Sequence, residues 1–348
     1  MHNIIVAESN DKERWDSFIR SQELSGPYHL FGWKSAIETA YHHRTYYLMA
    51  EGDDSEIQGV LPLILIKPPG LKGSLVSLPF CDYGGVLSTD RAASELLIKY
   101  AFDLATEIRA KLEIRCKNPD ETLNCFRNIG VMSHKVRMIL NLPGASEVLW
   151  NGFKSKLRSQ IKRPIKEDLE FLLGSLDLLN DFYRVFRINM RNLGSPVHSR
   201  SFISSVLDKF GQSAHVGVVY HRGKAVASGI ILDHRDIVSI PWASSLSEYN
   251  RYSPNMLLYW GFLQYASNNG FRLFDFGRSS PGEGTYKFKE QWGCKQTPLY
   301  WYSEGYMDNG QPIHAAGRTR RIMAQTWSKL PQGLVDFFGP AIRRFITL

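Results

Sequence analysis

The sequence predicts an α/β (α+β) protein of two tandem domains, each with a mixed, mostly antiparallel sheet flanked by helices. Two observations lead to this prediction. The chain has 348 residues, which is enough for two domains or one large core. A hairpin, a further strand, a long helix and another strand also occur in the same order in both halves. Sequence identity between the halves is slight, so the repeat concerns element order only.

The first half combines alternating apolar segments with amphipathic segments of helical period. Its predicted helices are Asp11 to Ile19, Lys34 to Thr39, Arg91 to Lys111 and Glu121 to Asn128. Its predicted strands are Thr45 to Ala50, Ile57 to Lys67, Ser74 to Leu78, Leu112 to Lys117 and Lys135 to Leu142. We expect the last of these strands to end the first half.

The second half repeats this order after a helix from Phe182 to Gly194. Its predicted strands are Ala214 to Tyr220, Lys224 to Asp233, Ile237 to Ala243, Phe271 to Phe276 and Pro298 to Tyr302. The long helix Pro254 to Asn268 precedes the strand Phe271 to Phe276, as the helix Arg91 to Lys111 precedes its counterpart in the first half. We therefore expect one sheet in each half.

The segment from Phe271 to Gly293 has the clearest pattern in the chain. It predicts a buried strand, a glycine-bearing turn and a short helix from Tyr286 to Trp292 that ends at Gly293. Arg278, Lys287 and Lys289 lie around the turn, where cations suit a phosphate or a developing oxyanion. The alternative is an ordinary strand–turn–helix with solvated lysines.

The motifs D-F-G-R-S and G-T-Y-K-F-K-x-x-W-G in this segment resemble the C-terminal signature of FemAB-type transferases. More narrowly, they resemble the FemAB-related proteins that accompany exosortase (PEP-CTERM) exopolysaccharide systems. Weaker similarity extends over most of the chain. The resemblance implies two tandem folds of the GNAT acyltransferase type, and an activity that joins an acyl or aminoacyl group to an amine of a cell-envelope precursor.

The resemblance also assigns site residues. Lys289 matches the lysine of the family's F-K pair, which is expected near a donor or acceptor phosphate, and is the leading candidate for catalysis. Asp275 and Tyr252 are the further candidates for a catalytic role in the cleft. The candidates for substrate binding in the signature are Arg278, Tyr286, Lys287 and Phe288.

Two more segments resemble parts of the same family. Asn189 to Pro196 follows the pattern N-x-R-x-L-G-[ST]-P, which makes Arg191 and His198 candidates for substrate binding. Arg191 equally fits a cation that complements a helix C-terminus. Tyr249 to Pro254 stands where a GNAT domain has its coenzyme-A loop, but the glycines of that loop are missing. Ser253 and Pro254 instead predict an N-cap and a first helical residue, with or without a bound anion.

A basic segment separates the two halves. Lys154 to Lys166 contains six cations and no acid, so Lys156, Arg158, Lys162 and Arg163 are candidates for binding the phosphates of RNA or of a carrier. A solvated helix face is the alternative. In the first half, Asp82 and Tyr83 are candidates for lining a cleft.

Composition limits the remaining possibilities. The net charge of +8 favours anionic partners. The four cysteines are widely spaced and His42-His43 lacks further ligands at metal spacing, so we expect no metal. We also expect no permanently bound cofactor. The N-terminus does not resemble a signal peptide, so we expect a cytoplasmic protein. The segment Arg318 to Leu348 is basic and aromatic, which suits either peripheral contact with an anionic membrane or packing on a domain.

We expect an N-terminal GNAT-like domain at 1–150, a basic connecting arm at 151–172, a C-terminal GNAT-like domain at 173–310 and a basic amphipathic tail at 311–348. Three functions remain open. The first is FemAB-type transfer from aminoacyl-tRNA to a nucleotide- or lipid-linked glycan precursor in peptidoglycan or exopolysaccharide synthesis. The second is acyl-coenzyme-A-dependent N-acylation of an exopolysaccharide sugar. The third is a non-catalytic scaffold that binds tRNA or membrane.

Overall fold

The computed structural model describes residues 2–125, 129–132, 135–304 and 316–347, with backbone only at 124, 125, 132 and 316–321. The strands are β1 (Asn3–Val6), β2 (Arg44–Glu51), β3 (Ile57–Ile66), β4 (Ser74–Val76), β5 (Leu87–Ser88), β6 (Lys111–Cys116), β7 (Ile129–Met132), β8 (Val136–Asn141), β9 (Leu169–Gly174), β10 (Ala214–His221), β11 (Lys224–His234), β12 (Ile237–Ser245), β13 (Leu273–Ser279), β14 (Lys295–Pro298) and β15 (Tyr300–Glu304). The helices are α1 (Lys12–Ser21), α2 (Phe31–Tyr41), α3 (Arg91–Glu107), α4 (Ser146–Gly152), α5 (Ser155–Lys166), α6 (Leu179–Asn192), α7 (Arg200–Phe210), α8 (Pro254–Asn268), α9 (Gly284–Glu290), α10 (Ala316–Lys329) and α11 (Gln332–Arg343).

These elements form two compact units. The first unit comprises Met1–Val136, Pro298–Ala316 and Arg344–Leu348, and the second comprises Arg137–Thr297 and Gly317–Arg343. Each unit contains one sheet. In the part of the chain that the structure describes, no helix is both long enough and apolar enough to cross a lipid bilayer.

The sheet of the first unit has the order β1-β2-β3-β4-β6-β15-β7, with β5 paired to β3. Its strands are antiparallel from β1 to β4, and β4 then pairs with β6 in parallel. A parallel pair needs a crossover connection, and α3 supplies it while packing on β3. The apolar faces of α3 and the sheet together form the core of this unit.

The sheet of the second unit has the order β14-β8-β13-β12-β11-β10-β9. Strands β9 to β12 are antiparallel, and β12 pairs with β13 in parallel through the crossover helix α8. Both units therefore contain three antiparallel strands, a helix and a parallel strand in the same order. The predicted fold class, two mixed and mostly antiparallel sheets with flanking helices, is confirmed.

Close packing in the second unit depends on small residues in the strands. A Cβ atom at Gly217 of β10 would lie 2.5 Å from the ring of Phe262 in α8. A Cβ atom at Gly229 of β11 would lie 2.9 Å from the same ring. The two glycines thus let the aromatic face of α8 rest directly on the sheet.

The sequence-based placement of two strands is wrong. Lys135 to Leu142 was expected to complete the first sheet, but β8 pairs with β13 and β14 in the second unit. Pro298 to Tyr302 was expected in the second sheet, but β15 pairs with β6 and β7 in the first. Apolar alternation identifies a strand but not its partner, because the hydrogen bonds of a strand fit any open sheet edge.

Two other local elements differ from what the sequence pattern indicates. Gly and Pro ordinarily interrupt a helix, but α11 continues through Gly339 and Pro340. The helix expected from Glu121 to Asn128 is a short 3₁₀ helix at Glu121–Cys125, and residues 126–128 lie outside the described part.

Candidate functional site

The central feature of the second unit is the parallel pair of β12 and β13. The pairing joins Ile237–Ser239 to Leu273–Asp275. Beyond these residues β12 continues along β11 to Ser245, while β13 runs on to Ser279. The carboxyl ends of the two strands thus separate, and ligands of open α/β sheets bind at such ends.

The connection from β12 to α8 lies at this opening. It forms a 3₁₀ turn at Ser247–Tyr252, and Ser253 follows in the left-handed conformation with φ of 58°. Pro254 is the first residue of α8, as predicted, but the side chain of Ser253 makes no capping hydrogen bond. The prediction of a serine side-chain cap is therefore wrong, because the left-handed backbone of Ser253 replaces the extended one that a capping serine needs.

Tyr252 belongs to a polar aromatic group on this connection. Its ring centroid lies 4.9 Å from that of His221, at the end of β10. The guanidinium of Arg251 lies 4.6 Å from the centre of the Tyr252 ring and donates to its hydroxyl at 2.6 Å. Tyr252 is half-buried, so part of its side-chain surface is accessible to a ligand.

Lys289 lies in α9, which follows β13. Its side chain is buried, and its ammonium donates to the carbonyl oxygens of Gly277 at 3.1 Å and Arg278 at 2.8 Å. Gly277 has a φ of 72°, a conformation that glycine adopts without strain. Lys289 therefore fixes the end of β13 to α9.

Asp275 lies two residues before Gly277 in β13 and forms a buried ion pair. One carboxylate oxygen accepts from Arg137 of β8 at 3.0 Å and 2.6 Å, and the other accepts from the Gly277 amide at 2.9 Å. Arg137 is 7% exposed and Asp275 is 2% exposed, so the pair is shielded from water. A catalytic role of Asp275 stays a prediction.

The aromatic residues of the signature form a packed cluster on α8. Tyr259 of α8 stacks on Phe276 at 5.3 Å and contacts Phe288 edge-on at 5.0 Å. Trp292 completes the cluster, with its ring centroid 6.2 Å from that of Phe276. Much of the signature pattern thus encodes the packing of α9 against α8 and β13.

The end of α9 meets the start of α8. The side-chain amide of Gln291 lies 3.8 Å from the sulfur of Met256, in the first turn of α8. The contacts of Lys289 and the connection that contains Tyr252 therefore both lie beside the start of α8. Nearby, burial raises the pKa of the Cys294 thiol to about 12, so this sulfur is a poor nucleophile at neutral pH.

The other candidates on α9 are more exposed. Lys287 is exposed, and Tyr286 is half-buried with its hydroxyl donating to Gln296 at 3.1 Å. Arg278 is half-buried and contributes its carbonyl to the Lys289 contacts. Phe288 belongs to the aromatic cluster, so only part of its ring faces outward.

The basic segment is the helix α5. Leu157, Ile161 and Pro164 are buried at helical spacing, and the helix packs on α8 and β9. Its outer side borders a groove of about 540 Å³. The groove is lined by Ser155, Arg158, Ser159, Gln160, Lys162, Arg163, Lys166 and Glu167. Four cations against one acid make this groove suitable for phosphates.

The four predicted cations of this helix are not equivalent. Arg158, Lys162 and Arg163 line the groove, whereas Lys156 is exposed outside the lining residues. Lys166 lines the groove but was not among the predicted residues. Its spacing of four residues from Lys162 and eight from Arg158 is the signal that identifies it.

The N-x-R segment reaches β12 through Asn189 rather than Arg191. The Asn189 amide donates to the Ser244 hydroxyl at 3.0 Å, in the part of β12 beyond its pairing with β13. Arg191 donates to the Leu330 carbonyl at 2.7 Å, which supports the end of α10. The motif itself begins with asparagine, so the sequence contained the signal for Asn189.

His198 is buried in the same unit. Its Nε2 accepts from Arg343 at 3.2 Å, and its ring lies 5.0 Å from Phe202. Burial, and then the charge of Arg343, lower the pKa of His198 well below its ordinary value of 6.5. A role of His198 in substrate binding stays a prediction.

In the first unit, Tyr83 lines a cavity of about 160 Å³ at the end of β6. The ring of Tyr83 lies 4.2 Å from the Lys117 ammonium, and a Cβ atom at Gly26 would collide with it. Asp82 directly precedes Tyr83 in the sequence and is half-buried. Its carbonyl accepts from the indole N–H of Trp301 at 2.9 Å. Among described residues, no group of three or more His, Cys, Asp or Glu side chains could hold a metal ion.

A buried arginine supports the loop before Tyr83. Arg115 is fully buried and donates to the carbonyls of Cys81 at 2.9 Å and Thr347 at 3.0 Å. The Thr347 carbonyl also accepts from the Phe80 amide at 2.9 Å. Phe80 has a φ of 71°, which is unusual for an aromatic residue, so this loop is held in a strained conformation.

Comparison with known proteins agrees with this architecture. Residues 152–290 match the family model of the acetyltransferase (GNAT) domain. The crystal structure of FemX is similar with a TM-score of 0.66 at 14% identity, over 88% of this chain and 98% of that one. None of the curated proteins matches the sequence.

Two further solved structures are similar. The structure of L-PGS from Bacillus licheniformis has a TM-score of 0.59 at 15% identity, over 94% of this chain and 100% of that one. A tandem GNAT protein from the clavulanic acid biosynthesis pathway has a TM-score of 0.55 at 10% identity, over 87% of this chain and 98% of that one. At these identities the similarity establishes the fold, which is that of two GNAT-like domains in tandem.

Proposed function

We propose that the protein is an acyltransferase that joins an aminoacyl group to an amine of a cell-envelope precursor, with aminoacyl-tRNA as donor. One observation carries this proposal: within the stretch that matches the acetyltransferase domain, β12 and β13 separate beside the start of α8. Acyl transfer to an amine needs no covalent intermediate. The site has to position donor and acceptor and to stabilise the developing oxyanion.

The choice of donor rests on two features of the second unit. The connection before α8 contains no glycine, so it lacks the flexible backbone that cradles a pyrophosphate in the coenzyme-A loop. The α5 groove has four cations on a helix that packs against α8. A long polyanion can occupy both the groove and the opening, and this favours tRNA over a small nucleotide.

We assign Lys289 and Asp275 to positioning. Both side chains are buried, and their contacts fix Gly277 and Arg278 at the end of β13. Tyr252 contacts the reactants in this proposal, because its half-buried ring borders the opening. Arg278 and Lys287 supply further cations for a phosphate of the donor or acceptor.

The acceptor is proposed from the resemblance of the signature to FemAB-type proteins. A nucleotide- or lipid-linked glycan precursor offers the amine, and the narrower resemblance suggests one from exopolysaccharide synthesis in an exosortase system. The fold is also that of L-PGS from Bacillus licheniformis, so an aminoacylated lipid is another envelope product consistent with the proposal.

A second candidate is N-acylation from acyl-coenzyme A. The match of residues 152–290 to an acetyltransferase domain favours it. In this case the opening between β12 and β13 takes the pantetheine chain, and the start of α8 faces the pyrophosphate. The α5 groove then has no assigned ligand.

A binding screen separates the two donors. Purified protein is titrated with charged tRNA, uncharged tRNA, acetyl-coenzyme A and a nucleotide-linked amino sugar. The proposal predicts tight, salt-dependent binding of tRNA and weak binding of acetyl-coenzyme A. Tight binding of acetyl-coenzyme A without tRNA binding would reverse the order of the two candidates.

A further inference from the structure

The helix α11 presents an apolar face to solvent. Its exposed apolar side chains are Leu334 (47% exposed), Phe337 (76%), Phe338 (50%) and Ile342 (41%). Their spacing of three, four and eight residues from Leu334 places all of them on one side of the helix. An amphipathic helix of a globular protein normally packs its apolar side against the core. In α11 this apolar side faces solvent instead.

The opposite side of α11 is already packed. Val335 is fully buried, and Gly339 rests against Val197 and Trp327. Arg343 is buried against His198, and Asp336 forms an ion pair with Arg187 of α6. These contacts fix the rotation of α11 on the second unit. The helix therefore cannot turn its apolar face inward without losing a partly buried ion pair and a buried hydrogen bond.

The segment that precedes this face is basic in sequence. Residues 316–329 contain four cations and no acid, and Lys329 at the end of α10 is exposed. Asp336 is the one acidic residue of α11, and the ion pair with Arg187 neutralises its charge. Ile322 and Met323 of α10 are also 54% and 66% exposed. The two helices thus combine exposed apolar side chains with an excess of positive charge.

We propose that α10 and α11 form a docking surface for an anionic lipid bilayer. Phe337 and Phe338 insert at the boundary between headgroups and acyl chains, and the exposed Lys329 contacts the anionic headgroups. The positive charge of this segment favours an anionic membrane over an uncharged apolar partner, because an uncharged partner gains nothing from the cations. The inference is independent of the proposed function, since binding to lipid is measured without any transfer.

Vesicle sedimentation of the full chain tests this surface. The vesicles consist of phosphatidylcholine alone or of phosphatidylcholine mixed with phosphatidylglycerol. Phe337→Glu is compared with Leu71→Glu, which makes the same charge change at a side chain that is 66% exposed in the first unit. Unchanged thermal stability of both variants establishes that they fold.

We expect the wild-type chain to sediment with the anionic vesicles and to bind neutral vesicles much more weakly. Phe337→Glu reduces binding by at least about tenfold, because it places a charge among the inserted side chains. Leu71→Glu leaves binding within about twofold, since Leu71 lies outside the docking surface. No binding of the wild type to anionic vesicles, or equal losses in both variants, would overturn the proposal. A wild-type dimer without lipid that Phe337→Glu converts to a monomer would identify the surface as an interface between copies, and would also overturn it.

Discussion

Lys289 and Lys287 are two residues apart in α9 but have different surroundings. Residues at this spacing do not share a helix face. The Lys289 ammonium bonds to two carbonyl oxygens inside the domain, whereas Lys287 is exposed. The cations around the turn and the family resemblance together suggested a catalytic role for Lys289. Its buried contacts add a structural one.

This difference makes a testable prediction. Lys289→Ala should lower the free energy of unfolding by about 2–3 kcal/mol, because two charge-assisted hydrogen bonds to buried carbonyls are lost. It should also slow transfer by about 10²-fold, since the end of β13 is displaced. Lys287→Ala should change stability by less than about 0.5 kcal/mol. Chemical denaturation and single-turnover transfer are measured side by side, and equal small losses in both variants would assign both lysines to a solvated face.

His198 predicts how stability depends on pH. Its pKa is depressed in the folded chain by burial and by Arg343, so the imidazole is neutral and accepts from Arg343. The unfolded chain takes up a proton at this residue below about pH 6.5, and the folded chain does not. Stability is therefore retained above pH 6.5 and decreases below it, by up to about 1.4 kcal/mol per pH unit.

The variant His198→Gln tests this prediction. Glutamine keeps an oxygen that accepts from Arg343 but does not titrate. The difference in unfolding free energy between pH 7.5 and pH 5.5 should be smaller in the variant than in the wild type by about 1 kcal/mol. An identical pH dependence of the two proteins would show that His198 is not the responsible group.

Among the elements, α5 offers a matched set of cations. Changing Arg158, Lys162 and Arg163 together to alanine should weaken tRNA binding and lower the slope of log affinity against log salt by about 2–3. Lys156→Ala should leave both nearly unchanged, because Lys156 does not line the groove. The measurement is a fluorescence titration at several salt concentrations. An unchanged slope in the triple variant would return α5 to a solvated helix face.

Sequence patterns identified most elements but not all of their environments. The apolar spacing of Leu157, Ile161 and Pro164 marks the buried side of α5, and the alternation in Leu273 to Phe276 marks β13. The ion pair of Asp275 with Arg137 was not predictable, because it joins residues that are 138 positions apart. The exchange of β8 and β15 was missed for the same reason. The local sequence pattern indicates which residues of an element are buried and whether their spacing is helical or extended. The partner of a strand depends instead on which sheet edge is open.

The last residues of the chain contribute to the first unit. The Thr347 carbonyl accepts from Arg115 and from the Phe80 amide, and the Arg344 carbonyl lies 2.8 Å from His43 Nε2. These contacts support the strained loop before Tyr83. Residues 344–348 therefore belong to the first unit, although they follow the second unit in the sequence.

A chain that ends at Arg343 tests this contribution. It should lose about 2–4 kcal/mol of unfolding free energy, because the buried Arg115 guanidinium and the Phe80 amide lose an acceptor. Thr347→Ala should be nearly neutral, since the contacts involve the backbone carbonyl. Denaturation followed by tyrosine and tryptophan fluorescence measures both changes. Equal stability of the shortened and full chains would contradict the role assigned to these residues.

The central proposal is that the second unit is the site of acyl transfer. The direct measurement is the transfer of labelled aminoacyl groups from charged tRNA, and of labelled acetyl groups from acetyl-coenzyme A, to an extract of nucleotide- and lipid-linked envelope precursors. We predict that label moves from tRNA to an amine of a precursor, and that this transfer falls in Lys289→Ala and in the α5 triple variant. Absence of transfer from both donors, with a folded protein, would contradict the central claim.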